Sequence, residues 1–167
     1  MRRDELLDAA ESLLADQGAH ALTLAAVAER AGVSKGGLLY HFNSKDALVR
    51  AMVERLIADF DDLMATQDHD TYTKRYVAAT FAAVRSGRLR RWAVVTGAAG
   101  DPTLLAPLRE AMIRWNSEGL DQDGDRMTAQ VVRLACEGLW EVATHAPALY
   151  DQEAQASLEH HLMSMLT

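Results

Sequence analysis

The chain has 167 residues, 49% apolar and 25% charged, with a formal net charge of −7. That apolar fraction supplies a real core and excludes a disordered chain. A single cysteine, Cys136, excludes an internal disulfide and a cysteine-rich zinc site. No apolar run approaches the ~18 residues of a membrane span, and Asp4 and Glu5 interrupt any signal-peptide core near the start. The expectation is a cytoplasmic protein with no membrane partner.

In chain order, Leu6, Ala10, Leu13 and Leu14 form an apolar stripe at helical spacing, ending near Gln17-Gly18. Thr23 is a candidate N-cap for a slim helix carrying Ala25, Ala26, Val27, Ala28 and Ala31. Gly32 follows as a C′ residue, where positive φ costs glycine little. Val33 plugs the turn, and Ser34 caps the next helix, in which Leu38, Leu39, Tyr40 and Phe42 alternate between core and surface. Asn43-Ser44 end that helix, and Ser44 caps a third one beginning Lys45-Asp46-Ala47-Leu48. A short helix held across another by a glycine turn has the size to enter a DNA major groove. Gly36 and Gly37 each cost a helix roughly 0.5–1 kcal/mol against alanine. Two readings account for glycine at these positions: weak tertiary constraint, or a missing side chain that lets the backbone approach phosphates or base edges, which the surrounding motif favours.

A long fourth helix carries Leu48, Met52, Leu56, Phe60 and Leu63 from Lys45 to about Ala65. It joins the head to the rest and is the expected lever between them. A fifth helix through Tyr76, Val77, Thr80, Phe81 and Val84 stops at Ser86-Gly87, and a sixth runs from Leu89 to Ala99. Asp101-Pro102 starts the next, with Pro107 forcing a kink or a short first piece. Residues 121–125 form a polar loop. Met127, Val131, Leu134, Ala135, Gly138, Leu139 and Val142 then make one apolar face, and Ala154, Leu158, His161, Leu162 and Met165 another. No sustained period-2 alternation signals a strand. The expected fold is all-α with about nine helices. A three-helix head (1–46) with a helix-turn-helix precedes a helical body (47–167).

Ala31-Gly32-Val33-Ser34-Lys35-Gly36-Gly37-Leu38-Leu39-Tyr40-His41-Phe42, followed by Lys45 and Leu48, resembles the DNA-binding domain of tetracycline-repressor-type (TetR/AcrR) transcriptional regulators. The resemblance runs from about Leu6 to Leu48. It implies that Thr23, Tyr40, His41 and Lys45 contact phosphates, that Lys35 and Leu39 reach base edges, and that Ser34, Gly36 and Gly37 lie close to the DNA. Lys35 then donates to guanine O6 or N7, and Leu39 packs on a thymine methyl. It also implies a homodimer through the last two helices (about 125–145 and 153–166), on double-stranded operator DNA.

The acidic net charge conceals a basic stretch. From Arg30 to Arg50, Arg30, Lys35, Lys45 and Arg50 are opposed only by Asp46. Arg2 and Arg3 could add to it from a mobile arm. An acidic remainder suppresses non-specific DNA binding and leaves this face to act.

In the body, Phe60, Met64, Phe81, Trp92, Thr96, Met112, Trp115 and Trp140 are candidate lining for an apolar or cationic-aromatic effector. Each also suits a plain core position. Glu118, Glu137 and Glu141 are candidate counter-charges. Cys136 reads as a small buried hydrophobe, and Asp68-His69-Asp70 as a solvated loop. His145 reads as a helix-end partner, and adjacent His160 and His161 point too far apart to share a metal. Arg85, Arg88, Arg90 and Arg91 read as cations favoured near a helix C-terminus. No catalytic constellation, metal-ligand set or cofactor motif is present. The function expected is a ligand-responsive repressor. The alternatives are a DNA-binding regulator with no small-molecule ligand, or a helical enzyme.

Overall fold

Helical periodicity becomes nine α-helices among the residues that the computed structural model describes, 3–166. They are α1 (Arg3–Gln17), α2 (Leu24–Arg30), α3 (Lys35–His41), α4 (Lys45–Ala65), α5 (Tyr72–Arg85), α6 (Arg88–Gly97), α7 (Ala106–Ser117), α8 (Arg126–His145) and α9 (Gln152–Ser164). Three 3₁₀ turns, Ala19–Ala21, Pro102–Leu105 and Leu120–Gln122, join some of them. Arg2 lies outside the described residues. Arg3 is not part of an arm: it opens α1, reaches Glu54 at 3.7 Å and lies 5.4 Å over the Phe42 ring.

The chain packs as two units. One takes the residues up to Ile57 together with Arg91–Arg109; the other takes Ala58–Arg90 together with Glu110 onward. The divisions fall inside α4, α6 and α7, so these helices are shared by connectivity.

In the first unit, α1 buries Leu6, Leu7, Ala10, Leu13 and Leu14. It packs on α2, and α2 packs on α3. Of the small residues on α2, only Val27 and Ala28 are buried; Ala25 faces solvent. Asp101 caps the Pro102–Leu105 turn by accepting from the Thr103 N–H at 2.8 Å. That 3₁₀ turn is the short first piece that Pro107, the second residue of α7, requires.

In the second unit, α5 is the central helix. It buries Tyr76, Val77, Ala79, Thr80 and Phe81 and packs against α8 and α9. Gly119 turns the chain after α7 with φ +64°; a Cβ there would lie 2.6 Å from the Tyr72 Cβ, so no larger residue fits.

Candidate nucleic-acid interface

Four local devices build the head. The Thr23 hydroxyl accepts from the Ala26 N–H at 3.1 Å and starts α2. At the other end, Gly32 takes φ +68°. Its N–H reaches the Glu29 carbonyl at 3.1 Å, while the Val33 N–H reaches Ala28 at 2.9 Å. This pair closes α2 as a Schellman motif and fixes the angle at which the chain leaves. The Ser34 hydroxyl accepts from the Gly37 N–H at 3.1 Å to start α3, and the Ser44 hydroxyl accepts from the Ala47 N–H at 3.0 Å to start α4.

Leu38 and Phe42 anchor α3 by burying fully in the unit's core. The rest of α3 faces outward: Lys35, Gly36, Gly37, Leu39, Tyr40 and His41 are all exposed, with Tyr40 at 87%. Thr23, Ser34 and Lys45 are exposed beside them. A Cβ on Gly36 would meet only the Ser34 Oγ at 3.9 Å, and one on Gly37 the same atom at 3.4 Å. Packing inside the chain therefore gives no reason for glycine at either position. Arg30 belongs less to this face than its position suggests, because its guanidinium donates to Asp16 at 2.6 Å and to Ser12 at 2.7 Å.

The arginine cluster needs correction. Only Arg85 ends a helix, where it donates to Glu159 at 2.5 Å. Arg88, Arg90 and Arg91 open α6, where the helix dipole disfavours cations. Arg91 is compensated by Glu11 of α1, which also accepts from Arg55 of α4 at 3.1 Å. One carboxylate thus ties three helices of the first unit. These partners lie 44 and 80 positions from Glu11, so no local pattern announced them.

Of the body candidates, Phe60, Trp115 and Trp140 come together, joined by Tyr76. Met64 and Phe81 are buried in the same unit, whereas Met112 is exposed at 39%. Trp92 and Thr96 fall in the first unit, where the Thr96 hydroxyl donates to the Trp92 carbonyl at 2.8 Å. Among the three glutamates, Glu137 is the one beside the rings: it accepts from the Tyr76 hydroxyl and from Asn116 Nδ2. Burial and that carboxylate push the Tyr76 pKa upward, so the phenol keeps its proton and donates. Glu118 is exposed, and Glu141 pairs with His145 at 3.4 Å. Burial also pushes the Cys136 thiol up to about 12, which suits a small core residue rather than a nucleophile.

No helix among the described residues is long and apolar enough to cross a membrane. No cluster of three His, Cys, Asp or Glu side chains among them could hold a metal ion.

Comparison with known proteins matches the chain in two segments. Residues 6–52 match the model of bacterial regulatory proteins of the tetR family, and residues 70–167 match the tetracyclin repressor-like C-terminal domain. The HTH-type transcriptional regulator BetI of Serratia proteamaculans is 28% identical over 149 residues, covering 83% of this chain and 75% of that protein. Several other curated relatives align over only 61–69 residues, and the chain then spans only 28–34% of their length. A solved transcriptional regulator from Rhodococcus sp. Rha1 superposes with a TM-score of 0.76 at 23% identity, covering 99% of this chain and 96% of that one. The SmeT–triclosan complex does so with a TM-score of 0.74 at 20% identity, covering 97% and 90%. The match to the C-terminal model alone spans more than half of the sequence, and with the head matched as well, this chain belongs to the tetR family of bacterial regulatory proteins.

Proposed function

We propose that the chain is a homodimeric repressor whose α3 enters the major groove of operator DNA, and which a small molecule bound in the body releases. The observation that carries this reading is the division of α3: Leu38 and Phe42 are fully buried while Lys35, Leu39, Tyr40 and His41 stand outside. A helix clamped on one side and presenting a cation, an apolar side chain and two polar rings on the other is built to be read against something. Lys35 and Leu39 address base edges. Thr23, Tyr40, His41 and Lys45 address phosphates, with Ser34, Gly36 and Gly37 close to the backbone. Phosphate contacts set the register and base contacts select the sequence.

Two further features support release by a small molecule. The related SmeT fold holds triclosan. In this chain, α4 runs unbroken from Lys45, beside the proposed contact surface, to Phe60 in the aromatic cluster. A 100-fold loss of operator affinity needs only about 2.7 kcal/mol of differential binding.

The test is selection of bound fragments from the genome of the source organism, followed by two variants. Lys35→Ala is expected to relax preference at one base position by ~1–3 kcal/mol. Tyr40→Phe should weaken binding evenly across sequences. Unchanged sequence preference in Lys35→Ala removes the base-reading role, and no selected fragment even at low salt removes the DNA-binding reading.

A further inference from the structure

Asp46, Arg50 and Glu54 follow one another at i, i+4 spacing along the first half of α4. Opposite charges at that spacing normally pair, and an acid N-terminal to its base is the better order. Here neither pair closes among the described residues. Glu54 turns instead to Arg3 of α1, at a loose 3.7 Å. Arg50 shares a cavity with Asp101, whose carboxyl is held below the usual carboxylate range by the Thr103 N–H and, less strongly, by Arg50 itself.

The cavity measures about 480 Å³, within the ~300–1,000 Å³ of small-molecule sites. Its lining comes from the start of α1, the end of α3, the first half of α4 and the 3₁₀ turn before α7. It therefore lies wholly within the first unit, apart from the aromatic cluster of the second. Ala47, Ala51 and Leu104 give it an apolar lining, the last two of them buried. Its charges have both signs: Arg3 and Arg50 against Asp46, Glu54 and Asp101. A simple anion meets three carboxylates there, and a simple cation meets two guanidiniums. A molecule with a carboxylate and an ammonium a few atoms apart meets a partner for each. A guanidinium offers a planar fork that one carboxylate fills with two hydrogen bonds.

We propose that this cavity binds a small α-amino acid with an apolar side chain. Arg50 takes its carboxylate, Asp101 takes its ammonium, and its side chain lies over Ala47, Ala51 and Leu104. The bound molecule bridges α4 and the 3₁₀ turn beside the end of α3. This goes beyond release by a ligand in the body and does not depend on it.

The experiment titrates the isotope-labelled full-length protein with L-leucine at constant pH and ionic strength, following backbone amide shifts by NMR. Saturable shifts are expected at Ala47, Ala51 and Thr103. L-Leucinamide lacks the carboxylate and isocaproate lacks the ammonium. Each should bind more weakly by about tenfold or more, the loss of one charge-assisted contact. Arg50→Gln should cost leucine a similar factor. So should Asp101→Asn, which removes the charge and keeps an N-cap. Both side chains are exposed, so neither change touches the core. Ala47→Leu leaves every charge in place but fills the apolar lining, and should abolish the shifts at Ala51 and Thr103. The proposal is overturned if leucine gives no saturable shift at these amides, if either analogue binds as tightly as leucine, or if any of the three variants binds leucine like the parent. Shifts confined to the second unit would assign leucine to the body and equally remove this site.

Discussion

Gly36 sets two demands against each other at a single residue. Within the chain, a methyl group there is nearly free: it would touch only the Ser34 Oγ at 3.9 Å. It would also remove the entropy that glycine loses in a helix, about 0.5–1 kcal/mol. Gly36→Ala should therefore raise the urea midpoint without changing the m-value. If the backbone of α3 lies against DNA, the same methyl intrudes there, and affinity for the selected fragments should fall at least tenfold. Opposite signs from one methyl are the expected result. A variant that is both more stable and equally tight would show that Gly36 faces open solvent in the complex. Residue-scale features of the head were legible because they are local. Thr23, Ser34, Ser44 and Gly32 each act on N–H or carbonyl groups within a few positions, so their residue types announce their roles. Arg3 was not legible, since its partners Phe42 and Glu54 are distant in sequence.

Among elements, the same contrast is sharpest at Arg133. Pattern reading gives it no role on α8, and treats residues 121–125 as a polar loop. Yet Arg133 is fully buried and Asp123 nearly so. The guanidinium donates to the carbonyls of Trp115 at 2.9 Å, in the last turn of α7, and of Glu118 at 2.7 Å, just past its end. It donates to the Thr73 hydroxyl at 2.6 Å, near the start of α5, and lies 4.9 Å over the Tyr72 ring. The Asp123 carboxylate is 3.9 Å away, so the carbonyls and the hydroxyl do most of the holding. One side chain thus closes α7 and joins it to α5 and α8 of the second unit. Arg133→Met should destabilise by about 3–5 kcal/mol, because it strands a buried carboxylate as well as two carbonyls. Adding Asp123→Asn should recover part of that loss. Arg133→Lys should not restore the parent stability, since an ammonium lacks the planar fork that reaches three acceptors. Urea titration of the four proteins checks this, and a lysine variant as stable as the parent would falsify the fork argument.

At the scale of the whole molecule, α8 leaves an apolar face that none of the described residues covers. Met127 and Leu134 are 65% and 66% exposed, Val131 is exposed between them, and Ala135 and Gly138 extend the same face. A Cβ on Gly138 would meet nothing within 4 Å, so its small size has no cause inside one chain. An exposed, aligned stripe of this kind marks a protein interface, and a second copy crossing α8 closely at Gly138 explains both features. Two copies would also present two α3 helices to half-sites a turn or more apart on DNA. The acidic net charge of −7 makes that doubling important, because a single basic head must overcome the repulsion of the rest of the molecule. Leu134→Glu places a charge in the middle of the stripe. It should leave far-UV circular dichroism unchanged, since this side chain is not part of the chain's own core. Sedimentation should then show a monomer where the parent chain is a dimer, and binding to the selected fragments should fall by 100-fold or more. Gly138→Leu should have the same outcome for a different reason, by holding the two helices apart rather than by burying a charge. A parent chain that sediments as a monomer, or a Leu134→Glu dimer that still binds DNA, would place the dimer contact elsewhere and leave the α8 stripe without its proposed partner.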